Sequence, residues 1–190
     1  MNLQKSMWSG VLLFVVSGVA FAHPGVHVTR FVDGMSHPLS GFDHMLAMFA
    51  VGVWAAQLGG RAIWTVPTSF VAMMALAGWI GTTETPLPMV ESGIATSVLV
   101  LGLLIAFSIR TSPVLGAGLV ALFAVFHGYA HGVEMPGNAL WPYGLGFVLA
   151  TALLHGVGIL AGLSLRNRAA WVRAAGALVA ISGLWIATFA

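Results

Sequence analysis

Apolar residues run along this chain in long stretches, separated by short polar connections. Crossing a bilayer takes about 20 apolar residues in a helix, and six runs reach that length: Gly41–Leu58, Ala62–Gly81, Ser92–Ile109, Pro113–Val133, Tyr143–Leu165 and Ala170–Phe189. The connections between them (Gly59 to Arg61, Thr82 to Glu91, Arg110 to Ser112, Glu134 to Pro142, and Arg166 to Ala169) leave no room for a second domain. Ahead of them lies a shorter run, Val11 to Phe21, preceded by Lys5 and closed by Ala20-Phe21-Ala22. A basic start, a short apolar run and a small-x-small end are the marks of a cleavable signal peptide; an uncleaved anchor is the alternative. The expected architecture is all-α. A signal peptide occupies residues 1–22, an external N-terminal segment residues 23–40, and a polytopic domain of six transmembrane helices residues 41–190.

Charge distribution tests the orientation independently. With the mature N-terminus outside, the first, third and fifth connections face the cytoplasm and carry Arg61, Arg110, Arg166 and Arg168, with Arg173 at the start of the last span. External connections carry Glu84, Glu91 and Glu134 and no basic residue. This is the positive-inside distribution, and it places both mature termini on the external side of the membrane. Trp54, Trp64 and Trp171 are expected near the inner boundary, and Trp79, Trp141 and Tyr143 near the outer one.

Only 6% of the residues are charged, against 59% hydrophobic, where a soluble domain carries about 25% charged. The net charge of +2 forms no basic patch, so nucleic acid is not an expected partner. The lack of cysteine removes disulfides, thiolate zinc sites and iron–sulfur clusters. The 24 glycines suit close approach of membrane helices.

Against that background the polar residues inside the spans stand out, because a buried carboxylate or imidazole is costly without a partner. One block is His37-Pro38-Leu39-Ser40-Gly41-Phe42-Asp43-His44; Pro38 and Gly41 predict a tucked-in loop or helix cap at His37, with Asp43 just inside the helix. A second block runs from Phe126 to Glu134, where His127, His131 and Glu134 follow at i, i+4 and i+7 and share a helix face. His155 falls roughly 18 Å into the fifth span. Nitrogen and carboxylate donors without thiolates suit borderline divalent metals. The candidate metal ligands are therefore His37, Asp43, His44, His127, His131, Glu134 and His155, with His23, His27 and Glu91 as weaker candidates at the external surface. An isolated membrane histidine such as His155 also serves simply as a hydrogen-bonding group, and the nine methionines as filler.

The run from Phe31 to His44 resembles the signature of the HupE/UreJ family of nickel permeases, a His-Pro-x-x-Gly-x-Asp-His block in the first span. Phe126 to Glu134 is similar to that family's Phe-His-Gly-x-Ala-His-Gly-x-Glu block, and Ala150 to His155 to its fifth-span segment. Met35 and Ser36 depart from the larger residues usual there, which bears on packing rather than ligands. The resemblance implies uptake of Ni²⁺ or Co²⁺ for hydrogenase or urease maturation. The ion would be transported rather than held as a cofactor, and the protein would not be an enzyme. Ligand imidazoles must be neutral, so uptake is expected to fall as the outside is acidified toward about pH 6. Two other classes use similar residues: an intramembrane zinc-dependent hydrolase with Asp43 or Glu134 activating water, and a haem-binding cytochrome with histidines on facing helices. Oligomeric state is not legible in the sequence.

Overall fold

A computed structural model describes residues 31–83, 85–135 and 140–189. The expected signal peptide and its cut, the candidate ligands His23 and His27, and Glu84 lie outside the described residues. Within them the chain forms seven helices and no strand: α1 (Phe31–Ser40), α2 (Phe42–Leu58), α3 (Ala62–Gly81), α4 (Val90–Ala106), α5 (Pro113–Glu134), α6 (Leu140–Ser164) and α7 (Ala169–Phe189). Four of these, α3, α5, α6 and α7, are long and apolar enough to cross a membrane. The molecule is a multi-pass membrane protein. α1 and α2 pass the same test only together, and they are bent by 87° at Gly41. α4 is apolar but has 17 residues.

The bend differs from the expected loop. Residues 31–40 are helical straight through Pro38, although proline removes one helix hydrogen bond and strains the residue before it. Tertiary packing outweighs that cost. A Cβ on Gly34 would overlap the Tyr143 backbone, and one on Gly146 would overlap Phe31, so α1 lies directly on α6. The bend falls at Gly41, whose extended backbone (φ −90°, ψ 113°) leads into α2.

α4 ends three residues before the expected Ile109, and Ser108 turns the chain with a left-handed φ of 53°. Side chains take up its last carbonyls, which have no partner within the helix. Gln57 Nε2 donates to Ile105 (3.2 Å) and Arg173 Nε to Ala106 (3.0 Å), while Trp54 Nε1 donates to Ile109 in the connection that follows (3.1 Å). Trp54 is fully buried rather than at the lipid boundary, its N–H bonded to the chain just past the end of α4. Trp64, Trp79, Trp141 and Trp171 are exposed, as belt residues require.

The helices pair chiefly as α3 with α5, α4 with α7, and α2 with α6, with α1 also on α6. Glycine brings each pair into backbone contact. A Cβ at Gly128 would overlap the Met74 carbonyl, one at Gly158 the Phe49 carbonyl, and one at Gly102 the Ala180 backbone. This pairing is unchanged when α2, α3 and α4 are exchanged in order for α5, α6 and α7, an internal symmetry only weakly visible in the sequence. α2 touches every other described helix, so the polar residues at its start are carried into the middle of the bundle.

Candidate metal site

Both polar side chains at the start of α2 are held within its first turn. Asp43 Oδ1 accepts the His44 backbone N–H at 2.7 Å and lies 2.8 Å from His44 Nδ1. An ionised carboxylate only accepts, so Nδ1 carries the proton and His44 Nε2 keeps a bare lone pair. That atom is buried and has no hydrogen-bond partner.

On α5, His127 Nε2 lies 2.8 Å from Ser97 Oγ of α4, and the Ser97 hydroxyl donates to the Ile94 carbonyl at 2.7 Å. A hydroxyl has one proton to give, so His127 donates from Nε2 to Ser97. Its Nδ1 is then the bare acceptor, likewise buried and without a partner. Two imidazoles are therefore fixed by neighbours in tautomers that leave one nitrogen free.

The outer part of the cluster joins α1 to α5. His37 Nε2 lies 2.8 Å from Glu134 Oε2, and the same oxygen is 3.8 Å from His131 Nδ1. Ligand atoms of these three residues all fall within 4.8 Å of one another, close enough for one ion to engage all of them after small adjustments. The rings then continue inward edge to face: His37 to His131 at 4.7 Å between centroids, His131 to His44 at 4.4 Å, and His44 to His127 at 4.8 Å. Side-chain exposure is highest at Glu134 (56%) and His37 (32%) and lower at His44 (12%), while His131 and His127 are buried. The series runs from the surface into the core.

A family described as HupE / UreJ protein matches residues 11–186. The chain belongs to the HupE/UreJ family. A curated relative, Protein HupE of Rhizobium leguminosarum bv. viciae, is 46% identical over 169 residues, covering 87% of this chain and 88% of that protein. No solved structure matches the chain.

In this HupE/UreJ chain the structure brings His37, His44, His127, His131 and Glu134 together. Asp43 faces His44 rather than the His37–Glu134 pair. His155 is fully buried one step apart from the cluster: its ring meets Phe70 edge-on at 5.2 Å, and Phe70 lies 5.6 Å from His127. Glu91 is exposed in the first turn of α4, and among the described residues no hydrogen bond or ion pair ties it to the cluster.

Three supporting residues escaped the sequence reading. Tyr143, expected in the outer aromatic belt, is buried with its ring 5.6 Å from His37. Phe147 packs on His131 at 3.9 Å. Ser97 is a single hydroxyl on the buried face of α4, beside Ile94, Val98 and Leu101. Nothing in its own segment links it to a histidine 30 residues later.

Proposed function

We propose that this chain is an inner-membrane permease that carries Ni²⁺ or Co²⁺ into the cytoplasm, in support of hydrogenase or urease maturation. The observation that carries the reading is the inward series of imidazoles, two of them held by neighbours with one buried nitrogen left without a partner. Imidazole and carboxylate donors suit a borderline divalent ion. Glu134 and Asp43 offset charge that would otherwise make burial prohibitive. In this reading the ion is collected at Glu134, His37 and His131. It passes to His44 and His127, with Asp43 orienting His44, and leaves inward past His155. Six spans, a cleaved signal peptide and both mature termini in the periplasm complete the proposal; α1 with α2 and the short α4 then count as spans one and three.

The test is uptake of radioactive Ni²⁺ in nickel-starved cells expressing wild type, His44→Ala or His131→Ala at equal membrane levels. Each substitution removes a ligand from a sparse site, so uptake is expected to fall to background. Wild-type uptake by either variant refutes the route. The competing intramembrane hydrolase rests on the His37, His131 and Glu134 grouping, a donor set that catalytic zinc also uses. Zinc-dependent cleavage of an amide or ester by the purified protein, with no nickel uptake, would decide for it.

A further inference from the structure

Below the histidine cluster, three uncharged side chains from three helices converge. The Thr151 hydroxyl of α6 faces Met48 Sδ of α2 at 3.3 Å and Met74 Sδ of α3 at 3.6 Å. All three residues are at most 1% exposed. A single hydroxyl proton serves one sulphur at a time, so at least one thioether keeps its lone pairs free toward the same point. Met48 follows His44 by one turn on the same face of α2, and His155 follows Thr151 by one turn on the same face of α6. Both ring nitrogens of His155 are buried without a hydrogen-bond partner. The group therefore spans the interval between the cluster and the deepest histidine.

Gap-filling explains a buried methionine but not this arrangement. Sulphur is a weak acceptor, and burying a hydroxyl with only poor partners is destabilising. Valine would fill the Thr151 position with the same shape and no such cost. Two sulphurs aimed at one hydroxyl, with an unpartnered imidazole one turn away, form a donor set rather than a packing solution.

We propose that Met48, Met74, Thr151 and His155 form a second metal station, made of uncharged soft and borderline donors, beneath the histidine–carboxylate cluster. Thioether and imidazole favour soft and borderline ions such as Cu⁺, Ag⁺, Ni²⁺ and Co²⁺, and offer Mg²⁺, Ca²⁺ or Mn²⁺ only one hydroxyl oxygen. The two stations would then select in series, the outer by charge and the inner by softness. With no carboxylate, the inner one holds a divalent ion weakly, which onward movement requires. Its place in a transport route rests on the permease reading; its capacity to bind an ion does not.

Silver(I) is the probe. The full chain, purified in detergent, is titrated with Ag⁺ as wild type, as Met48→Leu/Met74→Leu, and as Met73→Leu for comparison. Leucine conserves methionine's volume, so packing is kept. The double variant is expected to bind Ag⁺ at least about tenfold more weakly, the loss of a ligand pair being worth at least that factor, while Met73→Leu matches wild type and Ni²⁺ binding is retained. Equal Ag⁺ affinity in wild type and double variant overturns the proposal. X-ray absorption of wild type with one equivalent of Ag⁺ gives a check that needs no variant: sulphur neighbours support the station, and a shell of only nitrogen and oxygen refutes it. Sulphur-bound Ag⁺ in a protein that takes up no Ni²⁺ would sink the permease reading and leave the station standing.

Discussion

Ser97→Ala is the sharpest test of how the site is organised, because the residue touches no expected ion. Its hydroxyl donates to Ile94 and accepts from His127 Nε2 at 2.8 Å, which keeps the proton off Nδ1. Alanine leaves a buried N–H without an acceptor, at a cost of about 1–3 kcal/mol. Losing a hydrogen-bond partner of a metal-bound histidine lowers metal affinity about 10–100-fold, which is about 1.4–2.8 kcal/mol. Alanine is the better helix former in the middle of α4, which offsets part of the cost of the unpaired N–H, so the variant should still fold. Calorimetric titration of purified protein with Ni²⁺ is expected to show that 10–100-fold loss, and nitrogen chemical shifts should show the His127 proton redistributed between its two nitrogens. Ser97→Thr, which keeps a hydroxyl, should restore most of the affinity. Wild-type Ni²⁺ affinity in Ser97→Ala, with an unchanged tautomer, would refute the argument.

Asp43→Ala should weaken Ni²⁺ binding about 10–100-fold by releasing His44, and Asp43→Asn, which still offers an oxygen to the His44 N–H groups, should fall between it and wild type in the same titration. Gly128→Val should lower the thermal midpoint in detergent, since its side chain would meet the Met74 carbonyl and overpacking costs about 1–3 kcal/mol or more. Gly118→Val, facing open space, should leave that midpoint nearly unchanged. Nickel uptake by wild-type cells should decline as the medium is acidified toward about pH 6, because protons compete for the imidazole nitrogens that bind metal; uptake that rises over that range would contradict imidazole ligation.

Much of this protein was legible along the chain. Lipid imposes one requirement on a spanning segment, continuous apolarity with internally satisfied backbone, and that requirement is local. Hence α3 has the bounds read from hydropathy, and the other spanning helices begin and end within a few residues of theirs. The i, i+4, i+7 face of His127, His131 and Glu134 is local too, since helix geometry alone aligns it. Tertiary structure decided what lies between helices. The segment before Gly41 became a helix because Gly34 and Gly146 let α1 lie on α6, against the preference of Pro38. Tyr143 and Trp54 were drawn inward by partners far along the chain, His37 in one case and Ile109 in the connection after α4 in the other. Which nitrogen of His127 is free depends on Ser97, and whether Met48 and Met74 are filler or donors depends on Thr151. A hydrogen bond between residues 30 or 103 positions apart has no periodicity to announce it, because the distance that matters exists only once the helices have packed.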